Sequence, residues 1–256
     1  MKKEETRFAD SNIMEGMVSF RAVIRGIESG VSNRKIEKVI FDTARKKNLK
    51  SHLSYIRAMS AKYNFPIEEV TKETIESLAI GSSHGGLLIF TSERTLPTLS
   101  EIPKKDGFYV LLNGIEDPYN FGYALRSLYA AGVDGIIVGK RNWMSAAGVV
   151  CRASAGASEE MPVYIAESET DAAKLFKQSG YRFVAADLEN STPMTKANLK
   201  KPILLAVGGE KRGLAADLLA MADEIVRIDY GREFKEALSA ASAASILSFF
   251  VLAQNS

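Results

Sequence analysis

Ile203-Leu204-Leu205-Ala206-Val207-Gly208-Gly209-Glu210-Lys211-Arg212-Gly213 is the stretch whose reading decides the fold. An unbroken run of five apolar residues describes a strand covered on both faces, and the glycines that follow end it. Leu214, Leu218, Leu219 and Met221 then recur at helical spacing, and Glu224-Ile225-Val226-Arg227-Ile228 opens another strand. Strand, glycine-rich turn, helix and strand are the parts of a parallel α/β sheet. Ligands of such sheets bind outside the carboxyl ends of the strands, where glycine lets them approach the backbone. One carboxylate, Glu210, lies inside the turn. The stretch reads as a cofactor pocket.

The same alternation extends upstream to residue 107. Apolar runs predict strands at Phe108 to Leu112, Gly135 to Val138, Val163 to Ile165 and Arg182 to Ala186. Helical patterns fall between them, near Phe121 to Ala131, near Ala146 and from Thr170 to Gln178, and a last helix is expected from about Glu236 to Leu252. Strands separated by helix-length segments imply βαβ units. Residues 96–106 carry Pro97, Pro103, two lysines and little periodicity, and are expected to be a linker. Before them, a helix beginning near Gly16, a strand at Val39 to Phe41, a helix at Leu49 to Tyr63 and a strand at Leu87 to Phe90 describe a second, smaller α/β domain. The expected division is 1–95, a linker at 96–106, and 107–256.

Bulk composition narrows the function by exclusion. A net charge of +2 is too small to imply a polyanionic partner by itself, so any basic surface must be local. The single cysteine, Cys151, excludes an intrachain disulfide and fits a reducing, cytoplasmic setting. No apolar run approaches the roughly 20 residues of a membrane span. Neither a G-x-x-x-x-G-K-[ST] phosphate loop nor a G-x-G-x-x-G turn is present, which disfavours nucleotide hydrolysis and dinucleotide binding. His52, His84 and Cys151 are the only imidazole or thiol groups, and their spacing matches no structural zinc pattern, so no metal is expected. His52 reads as a surface residue and Cys151 as a buried thiol. His84, ahead of two glycines, is open between shaping a loop and meeting a ligand.

A second signal is Asp117-Pro118-Tyr119-Asn120-Phe121-Gly122 with Arg126, at the carboxyl end of the first strand of the larger domain. Asp117-Pro118 predicts a turn feeding a helix, with Asn120 a possible N-cap. Together with Val207-Gly208-Gly209-Glu210-Lys211-Arg212-Gly213, with Ala237-Leu238-Ser239 and with Ser154-Ala155-Gly156-Ala157, this segment resembles the SpoU (TrmH-like) RNA ribose 2′-O-methyltransferases of the SPOUT superfamily. The match runs from about Gly107 to Leu252. The smaller domain is similar, more loosely, to the L30e-like module that grips RNA in these enzymes. Its stretch Arg21 to Lys50 holds nine Lys/Arg against three Asp/Glu, a local basic bias that a solvated face and an RNA-facing surface explain equally well.

The resemblance implies a trefoil-knotted parallel sheet, a homodimer, an RNA substrate, and S-adenosylmethionine as cofactor. It assigns cofactor binding to Gly208, Gly209, Ile228 and Leu238, and active-site roles to Asn120, Arg126 and Glu210. Ribosomal RNA is favoured over transfer RNA. The alternatives are a non-catalytic RNA-binding or assembly protein on the same scaffold, and a tRNA or antibiotic-resistance methyltransferase. Two departures stand out. Ala237-Leu238-Ser239-Ala240-Ala241 replaces the family's Ser-Leu-Asn-Val-Ser, and Asp229-Tyr230 replaces a Pro-Met that usually follows the strand.

Overall fold

Seven strands run parallel in the larger of two sheets, and their order explains where a ligand can sit. The computed structural model describes residues 12–209, 211–234 and 236–256. Packing divides them into two compact units.

The first unit is built on a four-stranded sheet. β1 (Ile13–Glu15) leads directly into α1 (Gly16–Glu28), followed by β2 (Ile36–Asp42), α2 (Lys50–Tyr63), β3 (Ile67–Val70), α3 (Lys72–Leu78) and β4 (Leu87–Thr91). The order is β1-β4-β2-β3, antiparallel except between β2 and β3. Thr71 caps α3 by accepting a hydrogen bond from the Thr74 N–H. Leu53 and Ile56 of α2 bury against Phe20 and Val23 of α1 and the sheet residues Val39 and Ile89. Each such side chain contributes about 1.5–3 kcal/mol relative to an exposed one. His84 shapes its loop, its Nδ1 accepting from the Gly86 N–H at 3.0 Å.

This unit also takes Trp143–Glu160. That segment forms helices at Ala147–Ala153 and Ala157–Glu160, and it places Ala147 and Cys151 in the same apolar core. Charges hold it as well. Arg34 and Glu159 form an ion pair at 2.8 Å with side chains 0% and 1% exposed. Arg34 also donates to Asn12 and to the Ser92 carbonyl, and Arg94 donates to the Ser158 and Val31 carbonyls. Gly156, in the turn between the two helices, lies so close to α1 that a Cβ there would stand 2.4 Å from the Ala22 methyl. Burial pushes the Cys151 thiol up to about 12, aided by the nearby Glu159 charge, so it stays a neutral apolar filler. The local alternation of apolar residues gives no hint of this long-range association.

The second unit comprises Leu96–Asn142 and Met161–Ser256. Its elements are β5 (Phe108–Leu112), α4 (Pro118–Ala130), β6 (Gly135–Gly139), β7 (Val163–Ala166), α5 (Glu169–Gln178), β8 (Arg182–Ala186), β9 (Thr192–Pro193), β10 (Ile203–Val207), α6 (Ala216–Ala220), β11 (Glu224–Arg227) and α7 (Ala240–Gln254). The strand order is β7-β6-β5-β10-β8-β11-β9. The expected strands are present, joined by the short β9. The chain lays β5, β6 and β7 outward in one direction and then returns, placing β10 between β5 and β8. The order therefore reverses at β5/β10, and in sheets of this kind ligands bind outside the carboxyl ends of the strands. Tyr109, Phe176 and Tyr181 cluster with ring centroids 5.0 to 5.8 Å apart, Tyr181 meeting the other two edge-on.

Two helix starts differ from expectation. α4 is capped by Asp117, whose carboxylate accepts from the Tyr119 and Asn120 N–H groups, both at 2.9 Å. Pro118 occupies the first helical position and carries no N–H, which makes its predecessor the cap. Asn120 is therefore not the cap, and its side chain is released for other work. α7 starts at Ala240 rather than near Glu236, because the Ser239 hydroxyl accepts from the Ser242 N–H at 3.2 Å and fixes the first turn there. No helix among the described residues is long and apolar enough to cross a membrane.

Candidate functional site

The turn after β10 folds back on itself. The Gly213 N–H donates to the Gly209 carbonyl at 2.9 Å, and the two residues form an isolated antiparallel bridge. A Cβ on Gly208 would stand 2.3 Å from the Gly213 carbonyl carbon, and one on Gly209 would stand 2.1 Å from the Gly114 carbonyl oxygen. Only glycine lets the turn close and lets it lie against the loop that follows β5. An ion pair between Lys211 and Glu116 at 2.5 Å spans the same two loops. Both ends are exposed, so it adds little stability.

Beside this turn lies a cavity of about 620 Å³, within the range of small-molecule sites. Its walls come from the carboxyl ends of β8, β10 and β11, from the loop that reaches Tyr230 and Leu238, and from the first turns of α7. Gly208, Gly209, Ile228 and Leu238 all line it, so the structure brings together the four residues that the motifs assign to the cofactor. Tyr230 lines it too. Its hydroxyl oxygen accepts from the Leu238 N–H at 3.3 Å, and its ring meets that of Phe234 with centroids 5.8 Å apart. Tyr230 thus holds the loop in the place of the Pro-Met that the pattern lacks. Asp187 and Glu189, from the loop after β8, also face the cavity. The sequence signal that could have found them is their position just past a strand end.

Asn120 and Arg126 stand apart from these walls. Both lie on α4, half-buried and exposed respectively, and α4 packs along α7. The Arg126 side chain is exposed, and no hydrogen bond or ion pair among the described residues engages its guanidinium. Glu210 lies outside the described residues.

A further carboxylate supports the β5 loop from outside the cavity. Glu169 at the start of α5 accepts from the Asn113 side-chain amide at 2.8 Å. Burial holds its carboxyl above the usual carboxylate range, and the neighbouring Asp217 charge adds to this; the Asn113 hydrogen bond opposes it.

A cavity walled by glycine backbone and aliphatic side chains suits a flat adenosine-bearing cofactor, and the missing phosphate loop argues against a triphosphate. Fold and cavity together define a cofactor-binding protein of the parallel α/β class. The chain belongs to the SpoU rRNA Methylase family, whose model matches residues 107–249. It is 26% identical over 245 residues to the 23S rRNA (guanosine-2'-O-)-methyltransferase RlmB of Xylella fastidiosa, covering 93% of this chain and 96% of that one. It is 29% identical over 169 residues to the RlmB enzyme of Shewanella oneidensis, covering 63% and 68%. The crystal structure of an AdoMet-bound rRNA methyltransferase from Sinorhizobium meliloti superposes with a TM-score of 0.78 at 25% identity, covering 99% of this chain and 91% of that one. The protein is accordingly an S-adenosylmethionine-dependent RNA methyltransferase.

Proposed function

We propose that the protein methylates a ribose 2′-hydroxyl of ribosomal RNA, with the cofactor in the cavity beside Gly208 and Gly209. The observation that carries this reading is the convergence of Gly208, Gly209, Ile228 and Leu238 on one cavity, adjacent to the β5 loop that leads into Asn120 and Arg126. When bound, the cofactor supplies an electrophilic sulfonium methyl. The protein must hold a hydroxyl in line with that methyl and accommodate the charge that develops as its proton leaves.

Arg126 is suited to the second task. Guanidinium stays protonated in proteins, so Arg126 orients the hydroxyl and stabilises growing negative charge rather than acting as base. Asn120, freed from capping, adds a neutral donor and acceptor. Glu210 completes the polar set by position in the motif.

The first unit serves as the RNA grip on this reading. Arg45, Lys46, Lys47 and Lys50 are exposed on its surface, and they supply charge without sequence preference. Tyr123 of α4 and Phe249 and Leu252 of α7 are exposed apolar side chains that support a homodimer interface. The knotted threading of the second unit and a cytoplasmic location belong to the same reading.

The test separates binding from chemistry. Arg126→Ala should bind S-adenosylmethionine in calorimetry with unchanged affinity and lose methyl transfer to rRNA. Equal loss of both would refute the assignment of roles. A wild-type protein that binds no S-adenosylmethionine would instead favour a non-catalytic RNA-binding role.

A further inference from the structure

The cavity walls are mostly backbone and aliphatic side chain, and only a few ionisable groups interrupt them. Arg227 is already engaged. Its Nε donates to Asp229 at 2.9 Å and its Nη1 to the Ser191 carbonyl. Glu189 is exposed to solvent. Asp187 differs from both. It is half-buried, and its backbone N–H donates to the Val226 carbonyl at 3.0 Å, which ties it to β11. Its Oδ1 accepts from the Glu189 N–H at 3.0 Å, so the carboxylate is fixed in orientation. The second oxygen, Oδ2, points to the glycine turn, 3.9 Å from where a Cβ on Gly213 would stand. No hydrogen bond or ion pair among the described residues engages Oδ2. Because Asp187 is half-buried, Oδ2 is open to water, and a ligand that displaces that water must bring positive charge or a donor in its place.

We propose that Asp187 is a specificity-determining residue by which the cavity distinguishes the sulfonium cofactor from the thioether left after transfer. The inference rests on the reading that this cavity takes S-adenosylmethionine. The donor carries a sulfonium, an ammonium and a carboxylate, so its net charge is one unit positive. The product, S-adenosylhomocysteine, keeps the ammonium and carboxylate and is neutral overall. The two differ by one methyl and one charge, and aliphatic walls discriminate a methyl weakly. A fixed carboxylate in a partly desolvated site responds to the charge instead. It favours loading of the donor and departure of the spent product.

Calorimetry with S-adenosylmethionine and S-adenosylhomocysteine, on the wild type, Asp187→Asn and Gly209→Ala, tests this. Asparagine keeps an acceptor for the Glu189 N–H and removes the charge. The expected result is an affinity for S-adenosylmethionine about tenfold lower in Asp187→Asn, with the affinity for S-adenosylhomocysteine changed less than about twofold. The retained product binding shows that the variant is folded. Added salt should narrow the donor-to-product preference of the wild type and leave that of Asp187→Asn unchanged. An equal fall for both ligands would show that Asp187 reads a group they share, such as the ribose hydroxyls, and overturns the proposal. Unchanged affinities for both also overturn it. Gly209→Ala should bind both ligands about 5- to 150-fold more weakly. If it binds both as tightly as the wild type, the cavity reading fails instead.

Discussion

Replacing Gly209 by alanine tests whether the turn after β10 is built on contact between two backbones. The new methyl would stand 2.1 Å from the Gly114 carbonyl oxygen, 2.6 Å from its carbon and 3.0 Å from its Cα. Carbon and oxygen normally meet at about 3.3 Å or more, so one loop must move by roughly an ångström. Nothing flexible can give way, because every atom met is main chain. Neither loop is free to slide. The 209 side is closed by the Gly213-to-Gly209 hydrogen bond, and the 113 side is held by the Asn113 N–H donating to the Val207 carbonyl at 3.1 Å. Overpacking of this kind costs about 1–3 kcal/mol. The displaced backbone is a cavity wall, so that range appears largely in binding, as an affinity for S-adenosylmethionine about 5- to 150-fold weaker. Calorimetry measures it, with thermal denaturation on the same samples to register any loss of the fold. Gly231→Ala is the matched control, because nothing lies within 4 Å of its Cβ position. Wild-type affinity and unchanged melting in Gly209→Ala would refute the close approach on which the site is argued.

Three further outcomes follow from the packing. Glu159→Gln removes one partner of a fully buried pair and strands the Arg34 charge, which should cost about 3–5 kcal/mol in urea unfolding of the first unit; a loss below about 1 kcal/mol would show that the pair is solvated. Glu169→Gln should raise the melting temperature at pH 7. A carboxyl whose folded value lies above its unfolded one contributes stability below the unfolded value and loses it as pH rises through the folded one, so the advantage of the neutral amide should vanish near pH 4; equal gains at both pH values would contradict the burial argument. Ser239→Ala should lower stability by about 1 kcal/mol through loss of the α7 cap, whereas Ser239→Asn, which caps equally well, should match the wild type in melting and in cofactor affinity.

Much of the second unit was legible because its strands are short, continuous apolar runs, and a strand buried on both faces can hardly read otherwise. The loops that line the cavity were legible for a related reason, since glycines at strand ends permit close backbone approach. What escaped depends on partners far away in the chain. Ala147 and Cys151 look like any buried helical residues, and only the Arg34–Glu159 pair and the fit of Gly156 against Ala22 reveal which core they enter. Asn120 has the side chain of a cap but lies inside the first turn of α4, with Asp117 as the cap. Pro118 held the decisive information, since a residue without an N–H belongs just inside the helix. Asp187 carries no signal in the sequence, because a single acid after a strand resembles any solvated turn. Its meaning comes from the cavity that β10 and β11 close around it.

The entry of Trp143–Glu160 into the first unit has a consequence for how the protein is made. The first unit cannot complete its core when Thr95 leaves the ribosome, because Ala147, Cys151 and Glu159 have yet to be synthesised. At about 5–20 residues per second, the wait is roughly 3–13 s. During it, the apolar faces of α1 and the sheet stand open, and Arg34 lacks its counter-charge, while β5, α4 and β6 are already emerging. A gene cut at residue 95 would reproduce that unfinished state permanently. The two units therefore mature as one translation product, with the later segment acting as the closing piece of the earlier one.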